Sequence, residues 1–192
     1  MSDFWLYFNQ GLNYVISWKA YNIILFLIVV SAAYNFSAWK RLLLLIAIFT
    51  FGHAISLLLA TYNIISVSQK VIVILIPFTI LVAALYNILT AGKEKKAEKL
   101  GVSYIISAFF GLINGLGFAS TFKLINPSKD FLPLLNFELG SVAAQIIVFI
   151  VVLIVAFIFQ TIFRFNKRDW VLVVSSIVLG MLIPVLIKNW NF

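Results

Sequence analysis

Phe49-Thr50-Phe51-Gly52-His53-Ala54-Ile55-Ser56 lies inside an uncharged run that extends from Leu42 to Ile65. A run of that length exceeds an ordinary buried helix and is long enough to cross a bilayer. It decides the fold class: an all-α, polytopic membrane helix bundle, because a spanning helix satisfies its backbone polar groups within itself. The run also holds the only histidine of the protein, His53. On a helix Thr50, His53 and Ser56 recur at steps of three and share one stripe. An ionisable side chain at membrane depth is costly unless it faces the bundle interior, a polar partner or a water-filled path. That stripe is therefore the first candidate for a site.

The rest of the chain agrees with a membrane class. Of its 192 residues, 64% are hydrophobic and 10% charged, and the mean hydropathy is +1.11. A soluble domain carries about 25% charged residues, enough to coat its surface. With no cysteine, neither a disulfide framework nor a thiolate metal site is available. The net charge of +8 does not point to nucleic acid, because the basic residues lie between apolar runs where membrane topology accounts for them. The start, Met1-Ser2-Asp3-Phe4-Trp5, has no basic n-region, and no small-x-small cleavage site follows it, so no cleaved signal peptide is expected. One integral membrane domain is expected over residues 1–192.

Six transmembrane helices are expected, at about residues 20–36, 42–61, 71–91, 102–125, 140–163 and 170–187. An N-terminal interfacial helix precedes them, since Phe4, Trp5, Tyr7, Phe8, Tyr14 and Trp18 suit the headgroup layer. The first span is short for a ~30 Å core and is expected to continue into that helix. Pro77 should kink the third span. Gly92 is read as its C-cap, before the hydrophilic segment Lys93-Glu94-Lys95-Lys96-Ala97-Glu98-Lys99. Asn126-Pro127-Ser128-Lys129-Asp130 is read as a loop that Pro133 extends, so the fifth span is expected to begin near Gly140. Gly111 and Gly115 form a small-xxx-small pair in the fourth span, with Gly117 beside them, and are assigned to close helix packing.

The turns after spans one, three and five hold Lys40, Arg41, Lys93, Lys95, Lys96, Lys99, Arg164, Lys167 and Arg168. The other side holds Lys19, Lys70, Lys123, Lys129 and Lys188. The positive-inside rule then places both termini outside the cytoplasm.

The candidate path is built from Asn22, Thr50, His53, Ser56, Asn114 and Gln145. Ser107, Gly111, Asn114 and Phe118 share one face of the fourth span, and Ser141 and Gln145 share a face of the fifth. These faces are candidates to meet the His53 stripe. Two readings stay open for them: a polar path, or hydrogen-bond glue between helices. No Asp or Glu is expected deep in any span, and no acidic residue is placed to serve His53. Enzyme templates are missing. Gly115-Leu116-Gly117 lacks the Lys and the strand of a phosphate loop. A serine hydrolase needs a carboxylate behind its His, and a zinc site needs three or four ligands. His53 alone is left as a metal-ligand candidate, and no cofactor is expected.

Several ordered motifs resemble the HupE/UreJ family of small bacterial membrane proteins, in its Bacteroidetes-type branch. They are Ala20-Tyr21-Asn22-Ile23-Ile24-Leu25-Phe26, Phe49-Thr50-Phe51-Gly52-His53-Ala54-Ile55-Ser56-Leu57, Phe110-Gly111-Leu112-Ile113-Asn114-Gly115-Leu116-Gly117-Phe118 and Leu139-Gly140-Ser141-Val142-Ala143-Ala144-Gln145. The tail from Gln160 to Val171 is similar too. The resemblance implies a nickel or cobalt permease of the bacterial inner membrane, accessory to hydrogenase or urease, with Ni²⁺ or Co²⁺ as the transported ion. It implies histidine and carboxylate ligands near mid-membrane, which suit these ions. This chain departs from that pattern. Tyr14 stands where the family places an early His, Asn22-Ile23 where it has Asp-His, Asn114 in place of a His, and Val142 in place of a Glu. Of those polar ligands His53 remains. Besides a metal permease, two functions stay open: a non-transporting membrane scaffold that binds a partner through helix packing, and a transporter of a neutral small solute. Lipid is the expected surrounding in each case.

Overall fold

The computed structural model describes residues 2–17, 21–92 and 101–190. Trp18, Lys19, Ala20 and the segment Lys93–Lys99, all used in the topology argument, lie outside the described residues. Seven α-helices account for the described chain: α1 Ser2–Ile16, α2 Tyr21–Ala32, α3 Trp39–Thr61, α4 Gln69–Thr90, α5 Gly101–Ile125, α6 Phe131–Thr161 and α7 Lys167–Trp190. Five of them, α3 to α7, are each long and apolar enough to cross a membrane. They correspond to the second to sixth expected spans.

The first expected span is the one that differs. α2 has 12 residues, about 18 Å of helix against a ~30 Å hydrocarbon core. It passes the length test only together with α1, from which it is bent by 69°. α1 itself is only partly interfacial in character. Phe4, Trp5 and Leu6 at its start are exposed, but Gly11 and Val15 are buried, and the helix packs along α6. The contact is backbone to backbone: a methyl group on Gly11 would collide with the Phe137 carbonyl, and one on Gly140 with the Phe8 carbonyl.

The fifth span begins nine residues earlier than expected, at Phe131 rather than Gly140. Pro133 does not extend the loop. It is the third residue of α6, where its missing N–H has no intrahelical partner to lose. Asp130 is the N-cap, with extended φ −66° and ψ 145°. The loop before it is tied by Asn126 Nδ2 donating to the Asp130 carbonyl at 3.0 Å. As a result Asn136, Phe137 and Glu138 are inside the helix and buried.

Two further details follow from local chemistry. α4 runs through Pro77, which leaves the Val73 carbonyl without its helical donor. Asn189 Nδ2, from α7, donates to that carbonyl at 3.0 Å. Gly92 follows the C-cap Ala91 with φ +79°, the left-handed conformation that glycine adopts without strain.

α3 and α5 form the most extensive helix contact of the fold, and α1 with α6 the next. In α5, Gly111 packs on the Phe49 carbonyl and Gly115 on the His53 carbonyl and Ser56 Oγ. Any side chain there would hold the helices apart. Gly117 faces elsewhere, against Ile72 and Ile76 of α4. The apolar interior joins α2, α3 and α5 through Phe26 and Phe110, stacked at 3.8 Å, with Phe49 beside them. Asn87 Nδ2 of α4 donates to the Val29 carbonyl of α2 at 2.6 Å.

Candidate functional site: a buried histidine–glutamate pair

His53 is wholly buried, and its partner is an acidic residue. Nδ1 lies 2.7 Å from Oε1 of Glu138, in α6, which is itself 6% exposed. This corrects the expectation that no carboxylate lies deep in a span or serves His53. The error came from the helix boundary: with α6 started at Gly140, Glu138 falls in a loop. A carboxylate only accepts hydrogen bonds, so opposite an ionised Glu138 a neutral imidazole donates through Nδ1–H and carries its lone pair on Nε2. The pair is a short hydrogen-bonded contact in a low-dielectric interior.

Both outer atoms of the pair are left over. His53 Nε2 and Glu138 Oε2 are buried without a hydrogen-bond partner among the described residues. Buried polar groups are satisfied in the great majority of cases, so two orphans on one pair mark it out. Four rings surround the imidazole, with centroids 5.7 Å (Tyr14), 5.9 Å (Phe49), 6.3 Å (Phe137) and 6.4 Å (Phe118) away. This apolar box keeps water from the pair and strengthens the electrostatic contact inside it.

The other candidate residues fall into separate groups. Ser56 Oγ donates to the His53 carbonyl of its own helix at 3.1 Å, so it does not serve the ring. Gln145 Nε2 donates to Ser141 Oγ at 3.1 Å and reaches Thr50 Oγ1 at 3.5 Å, a cluster joining α6 to α3. Asn114 Nδ2 donates to the Phe110 carbonyl one turn back, as interhelical glue would not. Asn22 Oδ1 has no partner among the described residues. Asn22 and Asn114 both line a cavity of about 450 Å³ that also holds Gln69, Asn189 and Lys188. Lys188 is the one charged side chain in its described lining, and His53 is not part of it.

A resident metal centre is not assembled here. Among the described residues no group of three His, Cys, Asp or Glu side chains comes together. What the site offers is one imidazole nitrogen and one carboxylate, held 2.7 Å apart on two helices.

Glu138 is the candidate site residue that sequence reasoning missed. It lies four residues before Val142, one helical turn, on the same face of α6. A carboxylate thus sits one turn from the position at which the family resemblance implies one. Phe131-Leu132-Pro133 after Asp130 was the available signal, since proline in a first turn after an Asp N-cap marks a helix start.

Comparison with curated proteins and with solved structures returns no match. The model of one family, described as HupE / UreJ protein, matches residues 1–189. With nearly the whole chain covered and a bundle of apolar helices to match, this membrane protein belongs to the HupE/UreJ family.

Proposed function

We propose that this protein is a multi-pass permease that carries a divalent transition-metal ion, nickel or cobalt, with His53 and Glu138 as the charged step of its path. The observation that carries the reading is the buried pair with a nitrogen and an oxygen left over. Imidazole suits Ni²⁺ and Co²⁺, and the carboxylate offsets the charge of the ion where water is excluded. With the pair intact Nε2 is the ligand and Glu138 orients the ring and offsets the charge from behind it, and a station with one protein ligand fits transport, because a site that an ion must leave has to bind it weakly. The same reading places the chain in a bacterial inner membrane with both termini outside the cytoplasm.

Uptake of radiolabelled Ni²⁺ by cells expressing the protein tests this. The native chain should exceed an empty vector, and His53→Ala and Glu138→Ala should each return uptake to the vector level. Native uptake equal to the vector retires the metal reading.

A second reading, transport of a neutral solute, is favoured by the amide-rich lining of the 450 Å³ cavity and its one cation. It predicts no metal uptake and a solute flux that Asn22→Ala or Asn114→Ala reduces. The scaffold reading loses its main support, because the small-residue face of α5 is already occupied by α3 of the same chain.

A further inference from the structure

The His53–Glu138 pair sits on a seam between two stiff units. His53 belongs to α3, which is held to α5 through Gly52, Gly111 and Gly115. Glu138 belongs to α6, which is held to α1 through Gly11 and Gly140. Within each unit the glycines bring backbone against backbone, so the two helices cannot separate or slide without losing that fit. Across the seam the hydrogen bonds come from side chains: His53 with Glu138, Gln145 with Thr50, and the Tyr7 hydroxyl donating to the Ile125 carbonyl.

Two rings divide in the same way. Phe118 comes from α5 and Tyr14 from α1, and they meet across the seam with centroids 4.1 Å apart. Two cavities lie against these rings. One is the 450 Å³ cavity that holds Asn22 and Asn114. The other, of about 480 Å³, is lined by Gln10, Asn13, Ser17, Thr121 and Ile125. Among their described lining residues the two cavities share Tyr14 and Phe118 and no others. Neither cavity reaches His53 or Glu138, while both rings lie against the imidazole. These two rings, in contact at a tilt of 39°, are the wall between the buried pair and both spaces.

We propose that Tyr14 and Phe118 control access to the His53–Glu138 pair: their rings form a lid across the seam, and movement of α1–α6 against α3–α5 opens it. The significance of the lid rests on the reading of that pair as the transport station. Phe137 of α6 also stacks on Phe118 at 4.8 Å and meets Phe122 at 5.6 Å, so the seam is closed by side chains, which can turn, whereas each unit is held by close glycine packing, which cannot yield in that way. Rigid-body movement of one helix unit against another around a fixed site is a known way for a transporter to alternate access. Tyr14 then sets the size of what passes, because its ring must turn aside for anything to reach Nε2.

The single histidine makes access measurable. Diethyl pyrocarbonate acylates the free imidazole nitrogen, and in a protein purified through a histidine-free tag His53 is the one histidine to report. Native protein should react at least about tenfold more slowly than N-acetylhistidine in the same micelles, since reaction waits on opening. Tyr14→Ala and Phe118→Ala should each raise the rate by about tenfold or more. Tyr14→Phe, which keeps the ring, should stay at the native rate, as should Thr121→Ala. Native reactivity equal to the free amino acid overturns the lid. So do alanine variants that remain at the native rate, or a Tyr14→Phe rate as high as that of Tyr14→Ala. If an alanine variant is not monodisperse, Tyr14→Leu and Phe118→Leu serve in its place with the same expectations. The readout is chemical access, not transport. Nickel uptake at vector level with ring-dependent His53 reactivity retires the metal and keeps the lid, and the reverse result does the opposite.

Discussion

Removing one partner of the His53–Glu138 pair should cost more than removing both. In Glu138→Ala the Nδ1–H donor loses an acceptor 2.7 Å away, in a site with 0% and 6% exposure. The groups around it are the rings of Tyr14, Phe49, Phe118 and Phe137, and of these four only Tyr14 carries a polar atom. Breaking a buried pair in this way costs about 3–5 kcal/mol. His53→Ala strands the carboxylate instead and should cost a similar ~3–5 kcal/mol. Glu138→Gln keeps an acceptor oxygen for Nδ1–H at neutral strength, so its loss should be about 1–2 kcal/mol. The double variant His53→Leu with Glu138→Leu removes both polar groups and keeps the volume filled, which is often neutral or stabilising relative to the pair. Thermal unfolding in detergent, followed by intrinsic tryptophan fluorescence, measures the series. For a chain of this length ~1 kcal/mol shifts Tm by roughly 2–4 °C. Each single alanine variant should therefore fall by about 6–20 °C, and the double leucine variant by less than either. A double variant whose loss equals the sum of the two singles would show that the two side chains do not act on one another, and the site would dissolve with that result.

The glycines divide into two classes with opposite expectations. Gly115→Val drives a side chain into Ser56 Oγ and the His53 carbonyl and should lower stability by at least ~1–3 kcal/mol, the usual range for overpacking. Gly180→Ala, with nothing within 4 Å of the new methyl, should raise it by about 0.5–1 kcal/mol in the same melt. Asn189→Ala frees the Val73 carbonyl and should cost about 0.5–1.5 kcal/mol, a loss that Pro77→Ala reduces by restoring a helical donor. Because the chain has no cysteine, single cysteines report topology directly. An impermeant maleimide should label Ser128→Cys in intact cells and leave Lys95→Cys unlabelled until the cells are opened, and the opposite pattern would invert the orientation.

Length and apolarity along the chain were enough to expect five helices of membrane length that the structure shows, at α3 to α7, because such runs need no partner to satisfy their backbone in lipid. The uncharged run around His53 became α3, and the Gly111–Gly115 spacing lies where α5 meets it. Both features are local along the chain, so a linear reading reaches them. Where proline had two meanings the linear reading chose the wrong one: Pro133 looked like loop and is the first turn of α6. That single boundary hid Glu138. Likewise the aromatic residues of α1 read as interfacial, and those at its start are exposed, whereas Tyr14 near its end packs on the imidazole.

By itself, then, the sequence determined the membrane class, the helix inventory, the small-residue packing face and the identity of the one titratable ring inside it. Each of these follows from the hydrophobicity and size of neighbouring residues on one helix. Only the tertiary structure decided that the ring has a carboxylate at 2.7 Å, 85 residues away in the chain. It alone set two rings from distant helices over that pair. Hydrogen-bond partners and ring contacts depend on how helices rotate and approach one another, and that is settled by packing across the whole bundle, which no periodicity along a single helix encodes.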